Sequence, residues 1–148
     1  MRPQTCIALS VLALAAGPAP ALATTEAGLE DAVNAERAKR GLSALESSPS
    51  LRRSAGRYTR WLMRHDVFAH QAHIRADSRR YRRLGENLAL TVGPDPDAPS
   101  VVRLWLGSRP HRRILLTRRM PWIGAGKSRG TFRGHSATIW VLHVGARR

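Results

Sequence analysis

Residues 84–90 read LGENLAL, an apolar segment of strand length with an acid and an amide at its centre. In a strand, Leu84, Glu86, Leu88 and Leu90 point to one face and Gly85, Asn87 and Ala89 to the other. Glu86 therefore shares its face with leucines. A carboxylate buried there without partners costs several kcal/mol or takes up a proton. The fold must bring a cation or N–H donors to that point, while Asn87, on the opposite face, is placed to tie loop backbone.

Working outward, residues 71–83 are polar and arginine-rich and read as a loop with at most one helical turn. Before them lies a helix opened by Ser48 as N-cap and Pro49 at the first helical position. Leu51, Ala55, Tyr58 and Leu62 recur at helical spacing and predict its core stripe, with Arg52, Arg53, Arg57, Arg60 and Arg64 on the remainder. An earlier helix is expected from Glu26 to Arg40, stopped by Gly41, with Leu29, Ala32, Val33 and Ala35 inward and Glu30, Glu36 and Arg40 outside.

On the other side, GPDPDAP at 93–99 is a breaker. A third helix is expected over 100–107, with Val101, Val102, Leu104 and Trp105 as core candidates, and SRPHRRILL then gives a tight turn and a short helix. Two closing strands fall at 123–128 and 136–145. The last is apolar on both faces, which predicts a central or doubly covered strand. Helices first and strands later, without regular alternation, give an α+β fold with a small antiparallel sheet.

The beginning of the chain reads differently. Arg2, an apolar run from Cys6 to Ala16 and the small-x-small Ala21, Leu22, Ala23 predict a signal peptide over residues 1–23. The mature chain, 24–148, is then a single exported domain, secreted or periplasmic, with neither cysteine nor transmembrane segment, stabilised by packing alone. Cys6 does not sit at a lipoprotein-type cleavage point, so no lipid anchor is expected.

With 25 Lys plus Arg against 10 Asp plus Glu, the formal net charge is +15. Loss of Arg2 leaves 24 minus 10, or +14. Such a surface attracts polyanions, which outside the cytoplasm means lipid head groups or acidic wall polymers. Nucleic acid is not an expected partner, because aromatics are few and no reader motif is present.

The histidines are the candidate partners of Glu86: His65, His70 and His73 near the end of the second helix, His111 in the SRPH turn, and His135 and His143 in the last hairpin. Two histidines and a carboxylate can hold Zn²⁺ with an open water position, although no HExxH spacing is present. Nucleophile chemistry has less to work with. There is no GxSxG elbow, and Ser108 beside His111 reads as a capping residue. IGAGKS lacks the spacing of a phosphate-binding loop.

Taken in order, these segments resemble the CAP superfamily (cysteine-rich secretory, antigen and pathogenesis-related proteins) in its bacterial SCP-like form. LEDAVNAERAKRGLSAL, with Asn34 and Arg37, resembles its opening helix, and LRRSAGRYTRWLMRHDVFAH its second helix and first signature histidine, His70. RLGENLAL carries the GEN motif, VVRLWLGSRPHRRILL resembles the W-x-x-S-P-G-H-R-x-N-I-L block, and WIGAG and TIWVLHVG fit the closing strands. The resemblance implies a three-layer α-β-α sandwich with a cleft lined by His70, Glu86 and His111. The second acid falls at Ser108 and is missing. Arg109-Pro110 also replaces Pro-Gly, and Ile114 stands where Asn is expected. It further implies a secreted binding scaffold with no common enzymatic activity, and with the basic surface the expectation is a monomeric, non-enzymatic binding module for lipid, wall polymer or another anionic ligand. The alternative is a metal-dependent hydrolase with Zn²⁺ on His70 and His111 and Glu86 as ligand or general base.

Overall fold

The structure, a computed structural model, describes residues 25–76 and 80–148. The signal peptide expected over residues 1–23 lies outside the described residues. Helix α1 (Glu26–Ala38) is followed by strand β1 (Glu46–Ser47), helix α2 (Pro49–Arg64), strand β2 (Tyr81–Val92), helices α3 (Ala98–Gly107) and α4 (Arg109–Leu115), and strands β3 (Trp122–Phe132) and β4 (His135–Arg147). The sheet order is β1-β3-β4-β2.

Local chemistry sets these boundaries. The Ser48 hydroxyl caps α2 at the Leu51 amide, with Pro49 leading the first turn. Asp97 caps α3 through the Ser100 amide, so α3 starts slightly earlier than the pattern suggested. Helix α1 ends before Arg40. Gly41 at φ +64° lets the chain turn while its N–H bonds to the Ala38 carbonyl.

The sheet departs from the antiparallel expectation at one edge. β2 and β3 pair antiparallel with β4, but β1 runs parallel to β3 through Glu46–Trp122 and Ser47–Ile123. Parallel pairing needs a crossover, and α2 with the following segment and the intervening elements supplies it. β4 is central, as its apolar faces predict. Ala137, Ile139 and Val141 pack with Ala55 and Leu62 of α2, while Trp140, Leu142 and Val144 pack with α1, α3 and α4. Helices thus cover both sheet faces, giving the α-β-α sandwich. Each large apolar side chain buried this way contributes about 1.5–3 kcal/mol.

One outward and one inward assignment from the helical patterns are corrected. Glu30 is 3% exposed: both its oxygens take Arg52, at 2.7 Å each, and Oε1 also accepts the Ala125 N–H at 3.0 Å. A bidentate guanidinium plus a strand amide offsets the desolvation that helical periodicity alone would forbid. Leu104, expected inside, is exposed because Val101, Val102 and Trp105 already fill the α3 core face. The Trp105 indole N–H donates to the Leu88 carbonyl at 2.8 Å, fixing α3 to β2.

Helix α2 lies directly on bare strand backbone. A Cβ at Gly124 would collide with Leu51 and the Arg52 amide, and one at Gly126 with Ala55 and the Gly56 amide. Gly124→Ala is therefore expected to lower stability by about 3 kcal/mol in thermal or denaturant unfolding. Gly107→Ala, where a Cβ meets nothing within 4 Å, should leave stability unchanged or slightly raised.

Candidate functional site

Glu86 sits in β2 directly across from His143 of β4, on the sheet face covered by α2. The chain leaving α2 passes over this pair. Its course is set by Asp66 at φ 52°, whose carboxylate accepts the Arg133 N–H, and by Tyr58, whose hydroxyl donates to the Ala69 carbonyl at 2.6 Å. His70 and Gln71 are thereby delivered above the carboxylate.

Four donors converge on Glu86. Oε1 accepts from His70 Nδ1 at 2.9 Å and from the Gln71 backbone N–H at 3.1 Å. Oε2 accepts from Gln71 Nε2 at 2.9 Å and from His143 Nε2 at 3.0 Å. A carboxylate has about four lone-pair sites, and all are filled by protein. This is the answer to an acid on a leucine face. Burial pushes the Glu86 carboxyl upward, but the donors from His143, Gln71 and His70 together hold it below the ordinary carboxylate range.

His111 projects from α4 and stands beside this cluster. Its ring is centred 6.3 Å from that of His70, tilted by 41°. Partial burial, and then the neighbouring His70, lower its pKa from the usual imidazole value. Asn87, fully buried on the opposite face of β2, donates to the His111 backbone carbonyl at 3.1 Å. It ties backbone as expected, but that of helix α4 rather than of a loop.

His70 and Glu86 are joined by a hydrogen bond, and His111 is their neighbour without bonding to either among the described residues. Ser108 is a joint between helices. Its N–H donates to the Trp105 carbonyl, its own carbonyl receives the Arg112 N–H, and its side chain makes no capping bond. Gln71 was not among the partners expected from the sequence, and His143 was only one of six candidate histidines. A signal for His143 was present: it alternates with Ala137, Ile139 and Val141, so a polar group on that buried face needed a mate. Gln71 carried no such mark.

A Zn²⁺ centre using His70, Glu86 and His111 requires a free carboxylate oxygen, and neither oxygen is free. Among the described residues no group of three or more His, Cys, Asp or Glu is arranged to hold a metal ion. The residues present do not fit a three-ligand metal centre.

Beside the cluster, α2 and residues 67–75 enclose an open groove of about 780 Å³, with His70 and Gln71 in its wall. Among the described residues no helix is long and apolar enough to cross a membrane.

The profile of the CAP cysteine-rich secretory protein family matches residues 30–144. Among solved structures, an outer surface protein from Borrelia burgdorferi is similar at 22% identity, covering 81% of this chain and 90% of that one with a TM-score of 0.66. An extracellular protein containing an SCP domain from Bacillus anthracis is similar at 17% identity, over 81% of this chain and 39% of that one, with a TM-score of 0.65. A cysteine-rich secretory protein from Staphylococcus aureus matches at 17% identity over 84% of this chain and 40% of that one, with a TM-score of 0.52. No curated protein sequence matches the chain.

Because the folded-state pKa of Glu86 is depressed, its contribution to stability is present above the carboxylate range and lost as pH falls through the folded value. Glu86→Gln should cost about 2–3 kcal/mol at pH 7, since it replaces a charged acceptor with an amide that cannot satisfy four donors. Thermal unfolding from pH 7 to pH 3 should show the gap to wild type narrowing in acid. A gap constant across that range would contradict the donor account.

Proposed function

Since the chain belongs to the cysteine-rich secretory protein (CAP) family, we propose that it is an exported, non-enzymatic binding module with a His- and Glu-lined cleft on a basic surface, taking lipid head groups, wall polymer or another anionic ligand. The observation that carries this reading is the saturation of Glu86. With all its lone-pair sites filled by His70, Gln71 and His143, the carboxylate holds structure in place and has no vacancy for a substrate proton or a metal. The surplus of arginine supports an anionic partner. The descriptions of similar structures as outer surface and extracellular proteins support export.

The metal-dependent hydrolase, with Zn²⁺ on His70 and His111, makes the opposite demand on Glu86. The purified chain from residue 24 should show no turnover of peptide, ester or glycan substrates, and calorimetric titration with Zn²⁺ should give no stoichiometric heat that disappears in His70→Ala. Turnover abolished by Glu86→Gln, in a variant that remains folded, would overturn the binding reading.

A further inference from the structure

The outward stripe of α2 combines two chemistries in one groove. Arg57, Arg60 and Arg64 project from the helix and Arg75 from the segment opposite, while Tyr58 and Trp61 form its aromatic part. Among the described residues none of these guanidiniums has a carboxylate partner, and no acidic residue lines the groove. An arginine cluster without counter-charge among the described residues attracts anions to the groove. The walls are fixed to each other, because Arg57 donates to the Arg75 carbonyl at 3.2 Å and Tyr58 to that of Ala69.

The aromatics are arranged as a platform. Tyr58 and Trp61 are stacked at 5.8 Å and 12°, and Trp61 and His65 at 4.6 Å and 25°. Trp61 keeps 41% of its surface exposed even so. An exposed Trp stabilised by its neighbours, among arginines, has the composition that dominates binding energy at recognition sites. Ser54, 3% exposed, borders the groove, and its buried hydroxyl has no partner among the described residues. A bilayer surface fits poorly, because the groove is concave and its aromatics lie stacked along the helix.

We infer that the groove between α2 and residues 67–75 binds an anionic carbohydrate chain, with a sugar ring on Trp61 and its charged groups on Arg57, Arg60, Arg64 and Arg75. The inference rests on the binding-module reading and gives it a ligand class. Guanidinium forks suit both carboxylate and phosphate, so uronic acid polymers and sugar-phosphate polymers share the required chemistry.

The test uses the purified chain from residue 24 with polygalacturonate oligomers and a teichoic acid as probes, and neutral dextran and phosphatidylglycerol vesicles as comparisons. Trp61 is the most exposed indole, so binding should change tryptophan emission, and calorimetry supplies the affinity. Trp61→Ala and the pair Arg57→Ser with Arg60→Ser should each weaken polyanionic glycan binding about tenfold. Arg113→Ser with Arg119→Ser removes equal charge from the other arginine-rich depression, and should weaken it about twofold or less. Unchanged thermal midpoints would establish that these variants are folded. Binding to only one probe would assign the anion as carboxylate or phosphate and would support the inference. Equal losses in both arginine pairs, or binding to vesicles alone, would overturn the carbohydrate groove and leave the binding module standing. Absence of binding to every anionic probe would overturn both.

Discussion

Burying the Glu86 carboxylate obliges the chain to assemble four donors around a single point, and the surrounding structure follows from that obligation. One donor comes from β4, through the strand register that sets His143 opposite Glu86. The others come from His70 and Gln71, which are distant from the sheet in connectivity and reach it only because α2 ends where it does. The carboxylate thus fastens the segment after α2 to the middle of the sheet. Without donors the acid would be among the costliest groups in the molecule, and with them it is a clamp. The wall of the adjacent groove is consequently part of the folded core's hydrogen bonding.

The elements were largely legible in the sequence because their signals are local. Ser48-Pro49 opens α2 where a cap and an N1 proline should, and the doubly apolar SATIWVLHVG is the central strand. The site was half legible. His70 and Glu86 could be named in advance, but Gln71 and His143 reach Glu86 by strand register and a loop path, neither of which composition encodes. Glu30 illustrates the same limit. Helical spacing puts it outside, yet Arg52 and the Ala125 amide meet it inside, and pairing across 95 positions leaves no periodic trace. The parallel pairing of β1 was invisible for a simpler reason: two residues are too few to carry a pattern.

Charge is distributed with a division of labour. Where guanidiniums are buried, they are consumed by structure: Arg37 is 3% exposed and donates to the carbonyls of Ser43, Leu115 and Thr117, pinning α1 to the end of α4 and the turn beyond. Where arginines are exposed, on α2 and around α4, the described residues offer them few acids. The net charge is therefore a surface property superimposed on a conventionally packed sandwich. Its self-repulsion disfavours compactness slightly, and the two apolar layers on either side of β4 offset it.

The shortness of β1 has a further effect. Ser48 and Pro49 turn the chain off the sheet after two residues, so from Gly124 onward β3 has no neighbouring strand on its outer side among the described residues. Exposed strand edges are templates on which a second molecule can extend the sheet, and a chain with a single cysteine has no internal disulfide to guard against that growth. Here two copies approaching edge to edge would each present Arg129 on β3 and a strongly cationic whole. That positive charge makes two such edges repel each other, a guard against sheet extension that the backbone itself does not supply.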